Sequence, residues 1–228
     1  MMTPAHYQTS EFRVVDKLIA RLVENRKTPL RVLDFGCGRG KYLACFAAHH
    51  CSVVAVDTND SYVAMARDQG FQACSPEQLF DGAESAFDLI FLSHVIEHLA
   101  PDQLMNLIPK LCQRLRPGGL LMLVSPTPGE RFFHDFSHVR PYLPQSIRHA
   151  FGQTGSPLSF GEKSLIELID IHFFRDPFRT RLWRSFYVDQ GVKRTLTKTL
   201  NRFFEFAWQI SGGRFGITAS WLGIYQMK

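Results

Sequence analysis

The chain has 228 residues, which is long enough for one sizeable hydrophobic core and an appended segment. Hydrophobic residues make up 45% and charged residues 21%, a composition that excludes an intrinsically disordered chain. No apolar stretch approaches the roughly 20 residues that span a bilayer, and the N-terminus lacks the basic-then-apolar pattern of a secretory signal. We therefore expect a cytoplasmic protein.

The net charge of +5 is concentrated towards the C-terminus. Residues 178–228 contain nine Lys or Arg and two Asp or Glu, whereas residues 1–177 contain seventeen and nineteen. We therefore expect any acidic partner to bind the C-terminal segment. The five cysteines form no CxxC pair, which predicts buried free thiols and no metal site.

Helices and strands alternate along the first 126 residues. Helical spacing of apolar residues predicts a helix over 11–27, and further helices are predicted over 41–49, 60–70 and 101–119. The predicted strands are runs of mostly apolar residues: 30–35, 52–58, 71–75, 87–93 and 120–126. Such strands between helices predict an α/β fold with a doubly wound, mostly parallel sheet covered on both faces.

The pattern changes after residue 126. A loop rich in Pro and His precedes a helix near 144–154, and strands are predicted over 165–173 and near the C-terminus. Residues 177–215 are too many for a plain connection and predict a helical insertion. We expect a single domain over 1–228 in five parts: 1–29 helical, 30–126 with the glycine turn, 127–176, the basic and aromatic insertion 177–215, and the last strand 216–228.

A turn with almost no side chains follows the first predicted strand. In "VLDFGCGRGKYL", residues 32–43, glycines 36, 38 and 40 leave room for a ligand against the main chain, at the carboxyl edge of the sheet. The dinucleotide fingerprint G-x-G-x-x-G is not met, because Lys41 stands where its third glycine belongs. Asp57 ends the second predicted strand, where a carboxylate binds both hydroxyls of a ribose or else stabilises a turn.

Four segments in series resemble the class I S-adenosylmethionine-dependent methyltransferases of the methyltransferase-domain type. They are "VLDFGCGRG", "VVAVDTN", "FDLIFLSHVIEHL" and "LRPGGLLMLVSP", within residues 30–126. The resemblance implies a seven-stranded Rossmann-like sheet with the last strand antiparallel, and S-adenosyl-L-methionine as cofactor. It implies that the chain is an enzyme that methylates an acceptor.

The resemblance also assigns residues to the cofactor. Those that it places around S-adenosylmethionine are Asp34, Phe35, Gly36, Cys37, Gly38, Asp57, Thr58, Ser75, Pro76, Ser93 and His94. Asp34 and the glycine main chain would hold the methionine end, and Asp57 the ribose. Thr58, Ser75 and Pro76 would border the adenine, although many relatives carry an acid where Ser75 stands.

Histidines cluster on the side where the acceptor is expected. An alcohol acceptor needs a general base near the attacking oxygen, and His94 and His138 are the candidates. Three further residues of "FFHDFSHVRPY" are candidate substrate contacts: His134, Arg140 and Tyr142. The alternative for this loop is a rigid turn in which Arg140 pairs with Asp135. "DFSHVRPY" also resembles a loop of methyltransferases of cell-surface polysaccharide and glycolipid biosynthesis, which implies a sugar hydroxyl or phosphorylated glycan acceptor.

Residues 192–210 predict an amphipathic helix with basic side chains beside an apolar stripe. Three alternatives remain: packing on the domain or on a second copy in a homodimer, a lid over the pocket, or an interfacial helix. The last would give peripheral contact with the inner face of the membrane through residues 178–210. Nucleic acid is not favoured as a partner, because no recognised RNA-binding module occurs.

The leading hypothesis is therefore a methyltransferase that O-methylates a small-molecule or saccharide acceptor. Two alternatives share the same architecture. A nicotinamide-dependent oxidoreductase would use the same sheet, although the third glycine of its fingerprint is missing. A non-catalytic protein that binds S-adenosylmethionine would keep the pocket as a scaffold.

Overall fold

The computed structural model describes residues 10–82, 86–153, 164–180 and 191–228. The chain divides into two compact units, Met1–His172 with Trp221–Lys228, and Phe173–Ser220. The predicted insertion, 177–215, lies inside the second unit.

A seven-stranded sheet forms the core. Its strands are β1 (Arg31–Phe35), β2 (Ser52–Val56), β3 (Gln72–Cys74), β4 (Phe87–Ser93), β5 (Leu115–Pro126), β6 (Ile166–Asp176) and β7 (Ile217–Met227). The order is β3-β2-β1-β4-β5-β7-β6, with parallel pairing from β3 to β5 and an antiparallel β7. The predicted α/β fold with an antiparallel last strand is confirmed.

Burial explains why these segments form parallel strands. β1 is buried at four of its five positions and β4 at six of its seven, so that both faces of each strand are covered. Strands buried on both faces are mostly apolar, and "RVLDF" and "FDLIFLS" follow this pattern apart from a buried acid in each, Asp34 and Asp88. The central strands therefore supply the core, which includes Leu33, Ile90 and Leu121.

Helices follow the strands along the chain. Their bounds are α1 (Ser10–Val23), α2 (Leu43–Ala48), α3 (Asp60–Asp68), α4 (Pro76–Asp81), α5 (Pro101–Arg114), α6 (Glu130–His134), α7 (Pro144–Phe151) and α8 (Val192–Ile210). Proline stands at the start of α4, α5 and α7, where its missing N–H costs nothing. A short 3₁₀ turn, Ile96–His98, precedes α5.

The structure changes two features of the predicted pattern. β5 begins at Leu115 and not at residue 120, because Leu115 pairs with Phe87 on β4 before the register shifts. Gly119 lies in this irregular stretch, where a Cβ atom would lie 3.2 Å from the carbonyl oxygen of Phe87. The "RPGG" segment therefore belongs to a strand and does not simply end a helix. Helices α4 and α6 were not predicted.

The site is positioned by the reversal of strand order at β1. β1 lies between β2 and β4, so the connections that leave their carboxyl ends diverge and open a crevice there. The glycine turn follows β1, Asp57 follows β2, and His94 follows β4. The topology therefore brings three predicted site segments to one edge of the sheet.

In the second unit, one side of α8 is held by polar contacts. The side chain of Asn201 accepts a hydrogen bond from the main-chain N–H of Thr180 (2.7 Å) and donates to its carbonyl oxygen (3.3 Å). The indole N–H of Trp208 donates to the carbonyl oxygen of Arg175 (2.8 Å). Within the described residues, no helix combines the length and hydropathy needed to span a bilayer.

Candidate functional site

A cavity of about 720 Å³ opens at the carboxyl edge of the sheet. This volume lies within the range of small-molecule sites. The cavity is lined by every residue that was predicted to contact the cofactor except Ser75. It is also lined by residues that were not predicted: Arg39, Lys41, Tyr42, Tyr62, Val95, His98, Leu99 and Ser137.

The glycine turn forms one wall with bare main chain. Gly36 and Gly38 have φ angles of +82° and +53°, a region that side chains strongly disfavour. A Cβ atom on Gly36 would overlap the side chain of Val95. At Gly38, no heavy atom of the described chain lies within 4 Å of a Cβ position, so this main chain faces open space. A ligand can therefore approach Gly38 closely.

Asp57 is oriented by the turn that it faces. Its Oδ2 accepts a hydrogen bond from the main-chain N–H of Gly38 (2.8 Å), and its Oδ1 accepts one from Asn59 (2.9 Å). Each carboxylate oxygen has a second lone pair, and the residue lines the cavity. The carboxylate is thus fixed at the cavity wall with capacity for the two hydroxyls of a ribose.

Asp34 is a buried acid beside the same cavity. Only 2% of the residue is exposed, and its Oδ2 has no hydrogen-bond partner within the described part of the chain. Burial, and then the charge of Asp57, raise the pKa of Asp34 to about 7. A buried carboxylate oxygen without a donor fits a ligand that brings its own cation, such as the ammonium group of a methionine moiety.

His94 lies between two buried carboxylates. Its Nδ1 is 3.0 Å from Glu97 and its Nε2 is 3.3 Å from Glu11 on α1. Burial alone lowers the pKa of His94, but hydrogen bonds and charges from Glu11 and Glu97 outweigh it and raise the pKa to about 9. His94 is therefore an imidazolium at neutral pH with both N–H groups donated, and it has no lone pair to accept a proton.

A second pair of histidines lies where the fourth-strand turn meets the His-rich loop. His98 lines the cavity, and the His138 ring packs edge-on against it at 4.8 Å between centroids. Nδ1 of His98 donates to the carbonyl oxygen of Ser137 (3.2 Å), and Nδ1 of His138 donates to that of Phe132 (2.7 Å). With Nδ1 donating, Nε2 is the ring nitrogen left to accept a proton. His138 does not itself line the cavity, and its Nε2 lies 3.8 Å from Oδ2 of Asp135.

Several predicted residues lie elsewhere. The Ser75 hydroxyl accepts from the main-chain N–H of Gln78 (3.3 Å) and caps α4, so it makes a helix cap. Tyr142 is buried in the core and donates its hydroxyl to Leu99 (3.0 Å), which corrects its expected role as a substrate contact. His134 is exposed, and it is not among the cavity-lining residues.

The expected pairing of Arg140 with Asp135 is replaced by two other contacts. The carboxylate of Asp135 accepts from the hydroxyl (2.6 Å) and main-chain N–H (2.9 Å) of Ser137. The guanidinium of Arg140 lies 5.7 Å from the ring centroid of Tyr142, and Arg140 is exposed. The loop is thus braced by Ser137 while the cation of Arg140 remains at the surface.

The five cysteines are free thiols; Cys37, Cys45 and Cys112 are buried, whereas Cys51 and Cys74 are partly exposed. Burial, and then Asp34 and Asp57, raise the pKa of the Cys37 thiol to about 12, so it stays protonated and is a poor nucleophile. Among the described residues, two groups have the spacing of metal ligands: Glu97 with His98 and His138, and Asp16 with Cys45 and His49. In the second group, Nε2 of His49 and Oδ1 of Asp16 are hydrogen-bonded to each other at 2.8 Å. The expectation that the protein binds no metal stays a prediction.

Glu11 and His98 are two of the residues that sequence patterns missed. Glu11 is the second residue of α1 and lies 83 positions from His94, so no local pattern connects them. His98 lies within the motif "FDLIFLSHVIEHL", and this position was the available signal, since the carboxyl end of that strand borders the crevice.

Residues 7–168 match the family model described as "Methyltransferase domain". The ubiquinone biosynthesis O-methyltransferase of Rhizobium etli (strain CIAT 652) is 29% identical over 123 residues, which are 48% of this chain and 48% of that protein. The chain thus spans about half the length of the curated relatives it matches.

Solved structures share the fold over nearly the whole chain. A SAM-dependent methyltransferase from Archaeoglobus fulgidus superposes with a TM-score of 0.59 at 20% identity, covering 94% of this chain and 93% of that one. N-methyltransferase NodS from Bradyrhizobium japonicum WM9, in complex with S-adenosyl-L-homocysteine, has a TM-score of 0.58 at 14% identity, covering 97% and 89%. The chain belongs to the methyltransferase-domain family of S-adenosylmethionine-dependent enzymes, which the four sequence motifs predicted.

Proposed function

We propose that this chain transfers a methyl group from S-adenosylmethionine to an oxygen atom of a small-molecule or saccharide acceptor. The observation that carries the proposal is that two carboxylates, Asp34 and Asp57, line the same cavity as the bare main chain of Gly38. Asp57 is held at the cavity wall by the Gly38 N–H, and Asp34 is buried with an oxygen that lacks a donor. The family match supports the donor and the reaction class.

The residues fit the donor from end to end. Asp34 would pair with the ammonium of the methionine moiety, and Asp57 would accept the ribose hydroxyls. Thr58 and Pro76 line the cavity beyond Asp57 and would border the adenine. When bound, S-adenosylmethionine supplies a methyl group on a positively charged sulfur. The protein's own contribution is then alignment of the acceptor and exclusion of water.

The acceptor oxygen must lose a proton as it is methylated. Because both ring nitrogens of His94 donate to carboxylates, His94 is better suited to fix the cavity wall than to act as the base. His138 is the proposed base, with its lone pair on Nε2 and its ring against His98 at the cavity. Arg140, exposed at the end of the same loop, would hold an anionic group of the acceptor.

Oxygen as the attacked atom is supported by the relatives and by this histidine pair. The Rhizobium etli relative is named an O-methyltransferase, and a hydroxyl acceptor needs a base to take its proton. The value of kcat provides the test. His138→Gln should lower kcat by on the order of 100-fold or more, whereas His149→Gln, on α7, should leave it unchanged. An unchanged kcat in His138→Gln would remove His138 from the mechanism.

Calorimetry with S-adenosylhomocysteine tests the cofactor assignment. We expect Asp57→Ala to weaken binding by on the order of 10- to 100-fold, since two charge-assisted hydrogen bonds are lost. Asp60→Ala is the matched control, because Asp60 is an exposed acid three residues further on and does not line the cavity. Equal binding by the wild type and Asp57→Ala would contradict the ribose assignment.

Methyl-labelled S-adenosylmethionine identifies the acceptor class. Labelled methyl should appear in a cell-envelope glycan fraction or a small-metabolite fraction incubated with the protein, and mass spectrometry should show a gain of one methylene group. The Asp57→Ala variant provides the background. Binding of S-adenosylhomocysteine without any labelled product would favour a non-catalytic binding protein, and a difference spectrum with NADH would favour the oxidoreductase.

A further inference from the structure

Helix α8 exposes an apolar stripe on the side opposite to its polar contacts. Five large apolar side chains on this side are between 52% and 86% exposed: Val192, Leu196, Phe203, Phe206 and Ile210. At about 100° per residue they fall within roughly 80° of the helix circumference. We call this set the α8 stripe. Contiguous apolar surface of this kind marks a site of interaction with a partner or a membrane.

The opposite side of α8 already has its partners in the second unit. Thr197 is buried, Asn201 bonds to Thr180, and Trp208 bonds to Arg175. Phe204 contacts the ring of Phe178 at 6.2 Å between centroids. Because this side is fixed within the unit, the α8 stripe faces away from the residues that hold the helix. Packing within this unit is therefore made by the side of the helix opposite to the α8 stripe.

The charges beside the α8 stripe are of one sign. Lys193 lies on one flank and Lys198 and Arg202 on the other, and all three are exposed. The helix carries four Lys or Arg and one Glu, and residues 178–228 carry nine and two. A second copy of the chain would bring the same positive flanks together, which repel. An anionic surface would attract both flanks at once.

We propose that the α8 stripe and its basic flanks form an interfacial binding surface for an anionic phospholipid bilayer. The helix would lie in the plane of the membrane, with Phe203 and Phe206 among the acyl chains and the lysine and arginine side chains at the phosphates. Two further apolar side chains of the same unit, Phe215 and Ile217, are 45% and 55% exposed. This proposal does not depend on the proposed function.

Vesicle co-sedimentation of the full chain tests the proposal. We expect binding to vesicles of phosphatidylcholine with phosphatidylglycerol, and at least tenfold weaker binding to phosphatidylcholine alone, because single basic residues contribute about 1 kcal/mol each at an anionic surface. Raising the salt concentration from about 0.05 M to 0.5 M should release the protein. The double variant Lys198→Glu with Arg202→Glu should reduce the partition coefficient by at least about tenfold.

A second double variant tests the apolar part. Phe203→Ser with Phe206→Ser should lower the partition coefficient by about tenfold or more. Ile169→Ser, which changes an exposed apolar side chain on β6, is the matched control. Circular dichroism and S-adenosylhomocysteine binding should be the same in these variants, which separates this test from that of methyl transfer.

Three results would overturn the proposal: no sedimentation with either vesicle, equal sedimentation with both vesicles, or no effect of the two phenylalanine changes. A fourth is a dimer, seen by light scattering, that Phe203→Ser with Phe206→Ser converts to a monomer. That result would assign the α8 stripe to a second copy of the chain. Salt-sensitive binding to the anionic vesicles that both double variants weaken would support the bilayer.

Discussion

Replacing Asp34 by asparagine should stabilise the protein and weaken its cofactor binding at the same time. Asp34 is 2% exposed, and its Oδ2 has no partner within the described chain. The substitution keeps the shape of the side chain and removes its charge. If Asp34 served packing alone, its substitution would not raise the stability while lowering the affinity for the cofactor. A carboxylate that serves a cationic ligand should show both effects.

The magnitude follows from the pKa. The pKa of Asp34 rises from 3.8 to about 7, and each unit corresponds to 1.36 kcal/mol. Because the pKa is higher in the folded state, ionising the buried carboxyl group lowers the free energy of unfolding. This loss is absent below pH 3.8, grows as the pH rises, and is complete above pH 7, where it is on the order of 4 kcal/mol. In Asp34→Asn, the buried amide has unsatisfied hydrogen-bonding groups that cost about 1–3 kcal/mol, which offsets part of the gain from removing the charge. We therefore expect Asp34→Asn to gain about 1–3 kcal/mol at pH 8.

Urea unfolding at pH 8 and calorimetry with S-adenosylhomocysteine provide the two measurements. The loss of a charge-assisted hydrogen bond should weaken binding on the order of 10- to 100-fold. In the wild type, affinity should fall about tenfold from pH 8 to pH 6 as Asp34 is protonated, and Asp34→Asn should lack this dependence. A less stable Asp34→Asn protein, or one with wild-type affinity, would refute the reasoning.

Asp88 offers a matched control for this measurement. It is also a buried acid, 6% exposed, but its Oδ2 accepts from Arg26 (3.1 Å) and from the main-chain N–H of Arg31 (2.7 Å). Neutralising a paired carboxylate removes favourable interactions, so Asp88→Asn should lower the free energy of unfolding at pH 8. S-adenosylhomocysteine affinity should stay unchanged, because Asp88 is not among the cavity-lining residues.

Three further outcomes are expected. The folded-state pKa of His94 is about 9 against an ordinary 6.5, so its contribution to stability is complete below pH 6.5 and is lost as the pH rises through 9. Between pH 6.5 and pH 9.5, the free energy of unfolding measured in urea should fall less in Glu11→Gln than in the wild type. An equal fall in both proteins would contradict the Glu11–His94 contact. Ser75→Ala should cost about 1 kcal/mol in urea unfolding and leave S-adenosylhomocysteine affinity unchanged, since its hydroxyl caps α4; weaker binding would return Ser75 to the adenine site. Dialysis against EDTA should leave methyl transfer unchanged, and restoration of lost activity by Zn²⁺ would contradict the expectation of no metal.

Local patterns were enough for the central sheet and one side of the cavity. β4 has the predicted bounds, and β1 and β2 differ from theirs by one or two residues, because their apolar runs are themselves the consequence of burial on both faces. The glycine turn and Asp57 follow their strands directly, so that their meeting at one edge needs only a parallel sheet. The cap at Ser75 was also available locally, since Gln78 three residues later completes a capping box.

Contacts between distant segments decided the rest. His94 is an imidazolium because Glu11, 83 positions away, faces its second nitrogen, and Tyr142 is a core residue because Leu99 accepts its hydroxyl. Neither residue type nor spacing contains that information, since the pKa of a side chain and its role depend on burial and on the charges that the fold brings beside it. For the same reason the amphipathic pattern of α8 established that the helix has an apolar side. Only the folded unit shows that this apolar side is exposed, because Asn201 and Trp208 hold the helix in place through its opposite side.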